Sequence, residues 1–328
     1  MGAIMRVRSL AGGLAAILFF STAFASAQHS MTAKIGVILQ GGPWYAAVEG
    51  LRDGLKELGL VEGTNFVLEI RDTKGDLRAV ENTAKELERA KVSLIVTAAT
   101  SVSLAAQKAT EKTPIVFVAG TNPVTVGLVD SIRVPGGRLT GVQIRATDVI
   151  GKRFELLREI IPDLRRVITF YNPNNRSAIE AAKEAREAAR ILGLELVERK
   201  VASVDELQKE LQAFKSGEAD AFFAVSDAMI DNQIQSVIDM SKAKKLPTML
   251  YESVEVEQGG LASYSSDFKD AGHLSAKYVQ QILAGASPSQ LPVEGIDKLK
   301  FVINLKTAKQ IGLSIPERIL LRADKVVE

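Results

Sequence analysis

Short apolar runs alternate with longer stretches of helical spacing along most of the chain. Ala33–Leu39 (AKIGVIL) and residues 94–98 and 115–119 are β-branched runs bounded by Gly, Pro or polar residues. Such runs read as strands buried on both faces of a parallel sheet. After the first of them, residues 44–58 carry Ala47, Val48, Leu51, Leu55 and Leu58 on one helical face, and Gly59 stops the helix. Residues 66–70 read as a further strand, and Asp76 caps a helix through residue 90. Thr100 and Ser101 open another helix, which carries Leu104, Ala105 and Ala109. Strand and helix taken in turn predict a parallel sheet with right-handed crossovers.

The second half restarts the pattern. Residues 149–160 read as a helix ended by Pro162, and 166–171 as a strand followed by Asn172-Pro173-Asn174-Asn175 and a helix over 177–192. In both halves a strand, a polar Pro-containing loop and a helix lead to the same stop, Leu58-Gly59-Leu60 or Leu192-Gly193-Leu194. One supersecondary unit thus serves twice, once per lobe. Helices over 205–214 and 229–243 alternate with strands over 219–225 and 248–251. A short strand at 261–264 follows Gly259-Gly260, Asp267 caps a helix reaching residue 284, and 299–303 read as a late strand before a C-terminal tail. The 328 residues suffice for two domains of roughly 150 each.

Residues 113–142 lie between the halves. Pro114 and the run 115–119 end in Gly120-Thr121-Asn122-Pro123, a turn cluster. Pro135-Gly136-Gly137 and a second apolar run, 139–144, lead the chain away. The set Pro114-Ile115-Val116-Phe117, Pro123, Gly127-Leu128-Val129, Pro135-Gly136-Gly137 and Thr140-Gly141-Val142 resembles the substrate-binding proteins of ABC importers, in particular the tryptophan/tyrosine-type group. Asn122 stands where that family often has Asp. The resemblance runs from about Lys34 to the C-terminus. It implies a type I periplasmic-binding fold: α/β, with two Rossmann-like lobes of parallel sheet joined by a hinge. The first lobe is expected to hold residues 28–144 plus about 265–295, and the second 145–264 plus about 296–328, with crossings near 141–148 and 259–267. The resemblance also implies an exported solute-binding protein rather than an enzyme. It would bind an amino acid or a small carboxylate, aromatic ones included, and hand it as a monomer to an ABC permease and its ATPase.

The N-terminus changes the picture of charge and location. Arg6 and Arg8, an apolar segment over 10–25 and the small-residue site Ala25-Ser26-Ala27 read as a secretory signal peptide cleaved after Ala27. The segment is shorter than the ~20 residues a membrane span needs. Cleavage takes the 41 basic residues to 39, equal to the 39 acidic ones. With no net charge and no run of one sign, a nucleic-acid partner is disfavoured. The sequence has no Cys, hence no disulfide, no thiol chemistry and no lipid attachment at the cleavage point. No second apolar stretch is long enough to span a bilayer. The expectation is a protein free of the membrane after cleavage, in the periplasm of a host with two membranes.

The loops after successive strands share a polar character: Gln40-Gly41-Gly42, Thr100-Ser101, Gly120-Thr121-Asn122, Tyr171-Asn172, Ser226-Asp227 and Tyr251-Glu252. At the carboxyl ends of two facing parallel sheets they would line a cleft suited to a small polar ligand. Thr100 and Ser101, at a helix start, are the leading candidates for an anion site, with plain capping as the competing role. Thr121 and Asn122 would complete that site or simply make the turn. Asp227 would meet a ligand ammonium or cap the helix behind it, and Glu252 is a rival for the first role. Tyr171, Tyr251 and Trp44 would stack on a ring or pack in a core. Asn172 and Ser226 complete the set. Catalysis finds little support: the two His, His29 and His273, stand alone, no metal spacing or Gly-x-Ser-x-Gly occurs, and Gly41-Gly42 lacks the Lys of a phosphate loop. No catalytic, metal or cofactor residue is assigned. The alternatives are a periplasmic ligand-sensing module of the same fold, an exported two-domain hydrolase, and a sugar-sensing repressor. The last is opposed by the signal peptide and the missing helix-turn-helix arm.

Overall fold

The computed structural model describes residues 1–2 and 32–328. The signal-peptide reading rests on residues outside that set. Five parallel strands build the first sheet: β1 (Ala33–Leu39), β2 (Phe66–Asp72), β3 (Leu94–Ala98), β4 (Ile115–Ala119) and β5 (Leu139–Gln143). Five more begin the second: β6 (Arg166–Tyr171), β7 (Glu195–Lys200), β8 (Ala221–Phe223), β9 (Thr248–Leu250) and β10 (Ala262–Ser266). The chain then returns, adding β11 (Glu294–Gly295) to the first sheet and β12 (Leu299–Asn304) and β13 (Lys325–Val327) to the second.

The sheet orders are β11-β5-β4-β3-β1-β2 and β13-β12-β10-β9-β8-β6-β7. In each lobe the first strand lies between the second and the third, so the repeated unit seen in the sequence gives the same strand order twice. The strand order reverses beside β1 and β6, and ligands of open α/β sheets sit at the carboxyl ends of strands at such points. Only the β10–β12 pair is antiparallel among the described pairs. β12 enters its sheet directly from the other lobe, with no crossover helix to turn it round. The helix expected over 229–243 is broken at Gln233 into Ala228–Asn232 and Ile234–Ala243. The edge strands β11 and β13 and the helices Ser253–Glu257 and Glu317–Leu320 were not anticipated. They are too short to show a period.

The return helix Phe268–Leu283 packs against Tyr45–Glu57 of the first lobe with the backbones in contact. A Cβ on Gly50 would lie 1.9 Å from Lys269 O, and one on Gly272 would lie 1.9 Å from Ala47 O. Only glycine permits that approach. Lys269–Asp53 (2.9 Å) and His273 Nε2···Glu57 Oε2 (2.8 Å) flank the crossing, so His273 joins two helices on the surface.

Three connections run between the lobes, after β5, after β10 and after β11. Ser266 ties all three: its hydroxyl lies between the carbonyl oxygens of Ile144 (3.1 Å) and Ile296 (3.3 Å). Arg145 adds Asp148 (2.8 Å) and Asp297 (3.1 Å). One apolar core fills the first lobe and continues into Met229, Ile230, Leu250 and Tyr251 of the second, while another lies within the second lobe around Phe154 and Phe223. Among the described residues no helix is long and apolar enough to cross a membrane.

Candidate ligand-binding site at the seam between the lobes

The loops at the strands' carboxyl ends meet across a closed seam. A Cβ on Gly42, after β1, would lie 3.2 Å from Asp231 O, and one on Gly120, after β4, would lie 3.2 Å from Ser226 Oγ. Thr121 Oγ1 is 2.6 Å from Ser177 Oγ, and Arg176 donates to Thr125 O at 3.3 Å.

Polar groups without partners gather in and behind this seam. Neither amide atom of Gln40 has a hydrogen-bond partner, nor do Trp44 Nε1, Asp231 Oδ1, Tyr251 OH, Glu252 Oε1, Glu255 Oε1, or Nε and Nη1 of Arg153. All seven residues are buried, Gln40 to 1% exposure and Asp231 to 3%. Buried polar groups are ordinarily bonded, and an unpaired one costs about 1–3 kcal/mol, so a group of this size needs an explanation. Burial, and then the charges of Glu255 and Asp227, push the Asp231 carboxyl well above its usual range. Burial does the same to Glu255 and Glu252. Trp44 stands beside Asp231, where its indole N–H favours the charged form though it lies outside hydrogen-bonding geometry. Its ring stacks on Phe268 at 4.0 Å. The Arg153 guanidinium lies 4.3 Å from the Phe223 ring centroid and 4.8 Å from that of Tyr251. Its Nη2 donates to Met249 O (3.1 Å) and Leu250 O (2.9 Å). Burial lowers its pKa to about 10.

Of the residues named from the sequence, Gln40 and Tyr251 belong to this group, together with the rivals Glu252 and Trp44. Ser226 faces Gly120 across the seam. Thr100 Oγ1 accepts the N–H groups of Gly120 (3.0 Å) and Thr121 (3.1 Å), so it fastens the loop after β4. It does not cap its helix, whose N-cap is Ala99 at φ 101° and ψ 145° with no side-chain bond. A non-glycine residue in that region is strained, by about 1–3 kcal/mol. Ser101 lines a groove of about 490 Å³ with Gln107, Asn174 and Arg176. Thr121 is engaged with Ser177, and Asn122 Oδ1 accepts from Val124 N (3.0 Å) and Thr125 N (3.3 Å), closing its own turn. Asp227 caps its helix through Met229 N (2.9 Å) and Ile230 N (3.4 Å), and also accepts Asn172 N (2.6 Å). Burial raises its pKa to about 6. Asn172 Oδ1 accepts Asn174 N at 2.9 Å. Tyr171 donates to Glu198 at 2.9 Å in the second lobe, where burial and that bond push its pKa to about 12.

A further groove lies away from this group. It encloses about 530 Å³ and includes Thr121, Asn122 and Thr125 on one side and Asp148, Glu155, Glu180, Glu184 and Glu187 on the other. Four of its acids pair with bases, Arg145–Asp148, Lys152–Glu155, Lys183–Glu180 and Arg190–Glu187, so most of its charge is met at the surface.

Arg153, Asp231 and Glu255 were not singled out from the sequence. A signal existed: Arg153 falls on the stripe Ile150, Phe154, Leu157 of its helix, and in the helix the sequence predicts over 229–243 Asp231 falls in line with Ile234 and Ile238, so each reads as a charge on an apolar stripe.

Two α/β lobes of one strand order and three connections between them define the type I periplasmic-binding fold. The family profile described as ABC transporter substrate binding protein matches residues 33–327, and the chain belongs to that family, which is one of solute-binding proteins and not of enzymes. It is 25% identical to the tyrosine-binding protein of Clostridioides difficile (strain R20291) over 267 residues, 81% of this chain and 76% of that one. A conserved domain protein from Vibrio cholerae superposes with a TM-score of 0.84 at 30% identity, covering 90% of this chain and 99% of that one. A Streptococcus pneumonia ABC domain in complex with L-Trp gives 0.83 at 28%, covering 90% and 100%.

Proposed function

We propose that this protein is the exported binding component of an ABC importer for an aromatic amino acid, which it holds at the seam and delivers to the permease. The observation that carries the reading is the group of buried, unpartnered polar atoms centred on Trp44, Asp231 and Tyr251. Such a group is costly in a protein that never covers it with a ligand. The aromatic class draws on the two relatives whose names give tyrosine and L-Trp. The lobes we assign are residues 28–144 plus about 265–295 and 145–264 plus about 296–328, supported by the sheet to which each strand belongs. Closure pivots on the connections tied by Ser266. Export through a cleaved signal peptide to the periplasm completes the proposal and would be read from the N-terminus of protein taken from the native host.

Denaturant melts of residues 28–328 with each amino acid and with aromatic acids test the function. L-tryptophan or L-tyrosine at 100 times its dissociation constant should stabilise the protein by about 2.7 kcal/mol. Stabilisation by none of the aromatic amino acids would overturn the reading.

A further inference from the structure

We propose that pH works the seam of the empty protein: with Asp231 and Glu255 protonated the unliganded lobes stay shut, and ionisation of this pair parts them. The inference deepens the reading of the seam as the ligand site, because it sets when that site is open, and it needs no particular ligand.

The other lobe seals Asp231. The first-lobe turn at residues 41–44 lies over Asp231 and Asn232: a Cβ on Gly42 would stand 3.2 Å from Asp231 O, and one on Gly41 would stand 2.7 Å from Asn232 Oδ1. With the lobes together Asp231 is buried and its Oδ1 meets no donor. Lifting that turn admits water to the carboxyl without unfolding either lobe.

The groups around Asp231 are mostly of its own sign. From the second lobe they are Asp227 at the start of its own helix, Tyr251 and Glu252 after β9, Glu255 of the helix Ser253–Glu257 and Arg153 of the helix Ile150–Ile160. From the first lobe Asp72, at the end of β2, comes close at Gly41 and keeps its bonds to Tyr45 OH (3.1 Å) and Lys74 N (2.9 Å). Lys300 acts on Glu252 but is paired with Asp267 at 2.6 Å. Arg153, a buried base, donates to Met249 O and Leu250 O rather than to an acid. Three backbone N–H groups meet Asp227, and one Glu255 oxygen accepts Tyr251 N (2.9 Å) and Glu252 N (3.0 Å). Asp231 Oδ1, Glu252 Oε1 and Glu255 Oε1 stay bare. A neutral carboxyl tolerates such a place far better than an ionised one, which needs a counter-charge or water.

The direction follows from linkage. Burial and the neighbouring acids hold the Asp231 carboxyl above its ordinary range, and burial brings Glu255 to about 7. A group that holds its proton more tightly in the shut form than in the hydrated, open form favours the shut form while protonated. That preference is full below the ordinary carboxylate range and is lost as pH rises through the shut-form values. Each linked proton changes the shut-to-open ratio by up to about tenfold per pH unit.

Small-angle scattering of residues 28–328 without ligand, at pH 5 and pH 8 and one ionic strength, tests the inference. The radius of gyration should rise from pH 5 to pH 8 while circular dichroism shows the protein folded at both. Asp231→Asn and Glu255→Gln, made separately, should each leave the protein more compact than wild type at pH 8. Equal dimensions of wild type at the two pH values, or a response that both variants keep in full, would overturn it. L-tryptophan added at pH 8 separates the two readings. Compaction by L-tryptophan with no effect of pH on the empty protein removes the inference and leaves the ligand site standing. A pH response that the variants weaken, with no compaction or stabilisation by any aromatic amino acid, supports the inference and overturns the proposed cargo.

Discussion

Glu88 and Asp231 are both carboxylates held by the fold, and their surroundings are opposite. Glu88 reaches from the helix Leu77–Arg89 to the turn before β4 and accepts the N–H groups of Glu111 (3.1 Å), Lys112 (2.8 Å) and Thr113 (2.9 Å) and the Thr113 hydroxyl (3.0 Å). Burial alone would raise its pKa, but those donors outweigh it and hold it at about 2. Asp231 has burial and like charges around it and goes the other way. The contrast teaches how to read a polar group in this molecule. One whose partners come from the chain belongs to the architecture, and those left without partners at the seam are the ones we propose for the ligand.

The first way to break that contrast is at Glu88. Glu88→Ala should lower stability by about 2–3 kcal/mol, since several donors lose one charged acceptor, and should leave ligand affinity unchanged. Its contribution in the native protein is full above about pH 4.5 and lost as pH falls toward about 2, because the folded pKa is depressed. An acid titration of stability, compared between wild type and variant, reads this directly. Thr100→Val comes next. Leaving the buried N–H groups of Gly120 and Thr121 without an acceptor should lower stability by about 2 kcal/mol.

Asp231→Asn should act with the opposite sign. A raised folded pKa means that ionisation destabilises the fold, so the unliganded protein weakens as pH rises above the ordinary carboxylate range. Between pH 5 and pH 8 the stability difference between variant and wild type should shift in the variant's favour in denaturant melts. Equal stability at both would show that Asp231 carries no unmet charge. The smallest effect is expected at Ser266. Ser266→Ala removes one hydroxyl between two carbonyls of the connections and should lower stability by about 1 kcal/mol or less.

Much of the fold was legible in the sequence because period and punctuation are local. The runs at Ala33–Leu39 and residues 115–119, the Gly59 and Gly193 stops and the Asp76 and Asp267 caps predicted elements that the structure contains. The site was legible only as a set of loops. Whether Thr100 binds an anion or fastens Gly120, twenty positions away, depends on a contact that no local pattern encodes. Asn122 and Asp227 look like ligands for the same reason that they make good turns and caps: each accepts backbone N–H groups. Arg153 and Asp231 were hidden inside helices, where a charge reads as a solvated face unless its neighbours on the stripe are counted.

The central claim is that ligand binds against Trp44 at the seam. Trp44 is the sole tryptophan of the chain, so its emission reports that place alone. Titrating the mature protein with L-tyrosine while exciting only the indole should give a saturable change in emission, with a midpoint equal to the calorimetric dissociation constant, and Asp231→Asn should shift both together. Calorimetric binding with the Trp44 emission unmoved would place the ligand elsewhere and contradict the account.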